Sequence, residues 1–105
     1  MPFHWLESGT VSLACTSTSG NVALPANKPT GRFQIRVHNK GPNTAFIRKG
    51  TDNTVAAATT DMPIPAGAVE VFTLMNREAS PITHIAGICA SGETATLYFT
   101  VGAGI

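Results

Sequence analysis

The stretch from Phe33 to Gly50, FQIRVHNKGPNTAFIRKG, constrains the fold more than any other part of the chain. Phe33, Ile35 and Val37 alternate with Gln34, Arg36 and His38, the period of two that a half-buried strand requires. Asn39-Lys40-Gly41-Pro42-Asn43 follows, dense in residues that accept positive φ or preset a turn. Thr44 to Lys49 resumes as an apolar-rich run, closed by Gly50. The pattern predicts strand, tight turn, strand: a β-hairpin without a catalytic group.

Similar short runs recur along the chain. The cleanest is Thr94 to Val101, where Ala95, Leu97, Phe99 and Val101 alternate with Thr94, Thr96, Tyr98 and Thr100. Ile82 to Ala90 is apolar almost throughout and reads as a central strand. In Ala68 to Leu74, Val69 and Val71 share one face and Glu70 takes the other. Phe72 breaks that polarity, so both faces of this strand are expected to be covered. Val11 to Ala14 and Asn21 to Leu24 complete the stronger strand signals. The connections 25–31 and 61–67 each hold two prolines, which a central ladder does not accept. Thr51-Asp52-Asn53 and Ser91-Gly92-Glu93 read as turns, 75–81 as a polar turn, and Thr54 to Thr60 as an edge strand or extended loop.

No long helical period is present. Seven to eight short strands with regular turn signals predict an all-β fold. The expected form is a single antiparallel β-sandwich, jelly-roll-like, or a small β-barrel. Residues 10–105 form that domain. Residues 1–9 are expected as an N-terminal arm whose Phe3, Trp5 and Leu6 either staple the end of the sandwich or reach a neighbouring subunit.

Length and charge narrow the function. A chain of 105 residues has room for one domain. Its charged fraction of 12% is half the ordinary ~25%, which suits strands packed against neighbours. A net charge of +1 gives no global field for nucleic acid. Arg32, Arg36, Arg48 and Lys49 fall in the predicted hairpin, as a local basic patch or a solvated strand face. No run approaches the ~20 apolar residues of a membrane helix. MPFHWLESG lacks the form of a secretory signal, so synthesis in the cytosol is expected. Cys15 and Cys89 lie among small apolar residues and are expected as buried, reduced thiols.

Reactive groups are scattered. His4, His38 and His84 stand apart, without a metal-binding HExxH pattern, and neither cysteine has a CxxC partner. His38 reads as a solvated or interface residue and His84 as a partly buried, hydrogen-bonded one. Glu7, Asp52, Asp61, Glu70, Glu78 and Glu93 are spread singly, and no GxSxG elbow occurs. Gly102-Ala103-Gly104 precedes no helix that could make it a phosphate loop. The expectation is a non-enzymatic protein without metal or cofactor, binding neither nucleic acid nor membrane.

Three segments together carry a resemblance: RVHNKGPNTAFIRKG, then IPAG followed by AVEVFTL, then IAGICASGETATLYFTVGAGI. They resemble small structural proteins of tailed bacteriophages, over roughly residues 31–105. The resemblance implies a virion component on the capsid surface, foremost a capsid decoration (cement) protein. Such a protein would bridge major capsid subunits and associate with copies of itself, commonly as a trimer. Phe3, Trp5 and Leu6 would then be anchors, and Arg36, Arg48 and Lys49 would meet acidic capsid loops. The alternatives are a head–tail, tail or fibre component, and a carbohydrate-binding module used in host attachment.

Overall fold

The computed structural model describes residues 3–25, 31–76 and 82–104, and it is all-β. Eight strands are divided between two sheets: β1 (Phe3–Cys15), β2 (Gly20–Ala23), β3 (Gly31–Pro42), β4 (Ala45–Gly50), β5 (Met62–Ile64), β6 (Val69–Asn76), β7 (His84–Cys89) and β8 (Ala95–Gly104). The first sheet has the order β1-β8-β3-β6 and the second β2-β7-β4-β5, with every pairing antiparallel.

The pairs nest. β1 pairs with β8, β2 with β7, β3 with β6 and β4 with β5. The chain is thus one long ribbon closed at the β4–β5 end. Rolling that ribbon up adds two further ladders, β3 with β8 and β4 with β7. This is the jelly-roll arrangement of two four-stranded sheets.

Alternation decides which side chains fill the space between the sheets. From the first sheet come Leu13, Cys15, Phe33, Ile35, Val37, Ala95, Leu97, Phe99 and Val101, all buried. The second contributes Ala45, Ile64, Ile85 and Cys89. The sheets approach closely at Gly87, where an added Cβ would stand 2.6 Å from Cys15 Sγ and 3.0 Å from Leu13 Cδ2. Cys15 and Cys89 are free and buried, as their small apolar surroundings predict. Burial, followed by the neighbouring Cys89, pushes the Cys15 thiol up to about 12.

Four features depart from the sequence reading. First, β3 and β4 are not a hairpin, because they belong to opposite sheets. The supposed turn largely prolongs β3: Gly41 pairs with Thr96 and Pro42 with Ala95, after a register shift at Lys40. Only Asn43 and Thr44 remain to cross between the layers. The cause is Asn39, which continues the inward phase of Phe33, Ile35 and Val37 and is fully buried. Its Nδ2 donates to the carbonyls of Asn43 (2.9 Å) and Ile64 (2.8 Å), and its Oδ1 accepts from the Gly41 amide (2.7 Å).

Second, the N-terminal segment is not a separate arm. β1 starts at Phe3, and Phe3, His4 and Trp5 pair with Gly104, Ala103 and Gly102. A register break between Trp5 and Thr10, with Ser8 at φ 55°, separates this part from the rest of the strand.

Third, β5 (Met62–Ile64) lies within 61–67, which the sequence marked as a connection, whereas 54–60 takes the extended-loop alternative and the 51–61 connection folds over the outside of the second sheet. Asn21 Nδ2 donates to the carbonyls of Asn53 (2.9 Å) and Val55 (3.4 Å), and the Ala57 amide donates to Ser19 Oγ (2.8 Å). Val55 sits so close over Gly50 that no side chain fits there. Fourth, only one face of β6 is covered. Phe72 and Leu74 pack against the core, while Val69 and Val71 are 46% and 47% exposed.

Candidate interaction surface

The two outer faces of the sandwich differ. The second sheet carries the 51–61 connection, and Ala86 beneath it is completely buried. The outer face of the first sheet is exposed on its edge strands β1 and β6 and half-buried along most of β8 and β3, with Gln34 buried. Register places Trp5, Thr10 and Ser12 of β1 there, with Tyr98 and Thr100 of β8, Arg36 and His38 of β3, and Val69 and Val71 of β6. Trp5 is 68% exposed. Rigid strands, not loops, hold this set. Thr10 and Thr100 share a hydroxyl–hydroxyl hydrogen bond of 2.8 Å, and the His38 and Tyr98 rings stack with centroids 6.1 Å apart.

A second feature opens between the sheets at the edge where β6 faces β5. This cleft has a volume of about 400 Å³, within the range of small-molecule sites. Ile35, Val37, Phe72 and Leu74 wall it on one side, and Ile47, Met62 and Ile85 on the other. Polar groups stand at its rim. Arg48 donates from Nε (3.1 Å) and Nη2 (3.0 Å) to Asp61 Oδ1, while Lys49 lines the cleft without an ion-pair partner among the described residues. The Ala58 amide donates to Asp61 Oδ2 (2.7 Å), and this bond, joined by the hydrogen bond and charge of Arg48, holds the Asp61 carboxyl below its usual range. Asp52 is lowered by the hydroxyl and amide of Thr54.

Among the described residues no three of His, Cys, Asp and Glu converge as a metal site would require. No described helix could cross a membrane; the described residues form only strands and turns. His84 is half-buried, its Nδ1 2.7 Å from the Thr83 hydroxyl.

The residues singled out from the sequence do not form one patch. Trp5 and Arg36 share the open face of the first sheet. Arg48 and Lys49 belong to the second sheet, so the basic cluster expected from a hairpin is split between layers. The side chains of Phe3 and Leu6 lie outside the described residues. Sequence reasoning missed the exposed pair Val69 and Val71, the inward phase of Glu70 and the cleft itself. The signal for Glu70 was present, since it shares the phase of Phe72 and Leu74. No protein-family model matches this chain, and none of the curated proteins matches it in sequence.

Proposed function

We propose that this chain is a non-enzymatic virion structural protein, a capsid decoration protein that stabilises a phage head by bridging major capsid subunits. The observation carrying this reading is the asymmetry of the two outer faces. One is covered by the chain's own 51–61 connection, whereas the other presents Trp5, Arg36, Val69 and Val71 on rigid strands. Exposed Trp5 and half-buried Arg36 are of the residue types that dominate interface hot spots. A rigid body loses little conformational freedom on docking, and many weak contacts on a repeating lattice add up through multivalency. The resemblance of residues 31–105 to small phage structural proteins points the same way, as does the use of jelly rolls in viral capsids, which is a fold-level analogy.

Co-sedimentation with expanded, empty capsids of the encoding phage tests the proposal. The chain is expected to pellet with capsids, and Trp5→Ala to weaken that binding about tenfold or more while leaving the circular dichroism spectrum unchanged. Absence from the capsid pellet, with labelling on tails or binding on a glycan array, would replace it with the tail or host-attachment reading.

A further inference from the structure

Each sheet has two edges, and an edge strand exposes backbone N–H and C=O groups that template pairing with another chain. Three of the four edges carry features that discourage this. β5 has three residues, including Pro63, and Pro65 follows it. β2 has four residues. β1 is interrupted by its register break between Trp5 and Thr10. β6 has neither device: it runs for eight residues without proline, in unbroken register with β3 from Gly31↔Asn76 to His38↔Val69. Among the described residues no strand pairs with its other side.

We propose that β6 is a homodimer edge, pairing antiparallel with β6 of a second copy about a two-fold axis at Phe72. The two first sheets then join into one eight-stranded sheet, a form of β-strand addition. An axis normal to the sheet keeps both inner faces on the same side, so directly opposed residues share a face. Val71 stands opposite the partner's Thr73, and Glu70 opposite the partner's Leu74.

Charge placement selects this occupant. Glu70 lies at the end of β6 that follows the Pro65–Ala68 turn, pointing in the phase of the core. Leu74 lies at the other end and lines the cleft together with Lys49. Antiparallel overlap therefore carries each Glu70 to the cleft mouth where the partner's Lys49 stands. Neither Glu70 nor Lys49 has an ion-pair partner among the described residues of one copy. The contact is isologous, so the pair forms twice. An apolar strand from an unrelated protein would instead bury Glu70 against nothing of opposite charge, which makes the edge selective for its own kind. This inference is independent of any virion role.

Light scattering and sedimentation of the full chain test it. The expected mass is twice 10.9 kDa at high concentration, falling to one chain on dilution. Amide exchange across 69–76 is expected to slow as concentration rises. Glu70→Lys and Lys49→Glu, both at exposed positions, are each expected to weaken the dimer about tenfold or more, and the double swap to restore it. Thermal melts of the variants check that the fold persists. A monomer at all concentrations, a trimer, or a dimer indifferent to both swaps overturns the proposal.

Discussion

Asn39 shows how much one side chain determines. It occupies a core position, yet every polar group it has is used: the amide donates to Ala68 O (3.0 Å), the carbonyl accepts from Gly67 N (2.8 Å), and the side chain makes three more hydrogen bonds. Together these tie the end of β3 to β5 and to the Pro65–Ala68 turn. Truncation would leave buried backbone groups unpaired, each costing ~1–3 kcal/mol. Asn39→Ala is expected to destabilise by about 2–4 kcal/mol in a urea titration, and Asn39→Asp by at least as much, because a buried carboxylate has no proton to offer the Asn43 and Ile64 carbonyls.

Cys15 weakens the fold at alkaline pH, together with Cys89, whose thiol burial also pushes up. The Cys15 thiol is raised from 9.0 to about 12 in the folded chain, so between those values the unfolded state ionises while the folded state stays neutral. The unfolded chain then binds fewer protons, and stability falls as pH rises, by up to about 1.4 kcal/mol per unit. Below pH 9 this contribution is fully present. The depressed Asp52 and Asp61 act in the opposite sense: their contribution is present above the ordinary carboxylate range and is lost as pH falls through their folded values. Urea midpoints are expected to drop between pH 8.5 and 10.5, and to drop less in Cys15→Ala. An equally steep decline in that variant would assign the effect to another group.

At the scale of elements, the 51–61 connection is held by few bonds, and Asn21 supplies two of them. Asn21→Ala is expected to speed amide exchange at Val55 and Ala57 while shifting global stability by only about 1 kcal/mol. Protection unchanged at those amides would show that packing of Val55 over Gly50 suffices alone. Most elements were legible beforehand. The alternation of Ala95, Leu97, Phe99 and Val101 marked β8, and the apolar run around Ile85 marked a central strand, because both are written in local periodicity. Partnership between strands was not legible. Lys40 to Asn43 has the composition of a hairpin turn, but turn composition says only that the chain bends, not which sheet it enters next. Nor does period two reveal which phase faces inward when valine occupies one side of β6 and phenylalanine the other. The candidate surface was accordingly half-read: Trp5 and Arg36 share a face, whereas Arg48 and Lys49 were grouped with them only by closeness in sequence.

For the whole molecule, nesting has a kinetic side. Strands at opposite ends of the chain must meet before the first sheet exists, because β8 lies between β1 and β3. Such non-local pairing places folding among the slower small domains, in milliseconds to seconds. All the layers share one core, so partial structures have little to bury and unfolding is expected to be cooperative. Nesting also brings Phe3 beside Gly104. A peptide of a few residues would therefore splice the two ends, and the chain could be cut afresh within 51–61 without breaking a single ladder. The rearranged gene product would start at the old fifth strand and finish at the old fourth, tracing the same roll from the inside out.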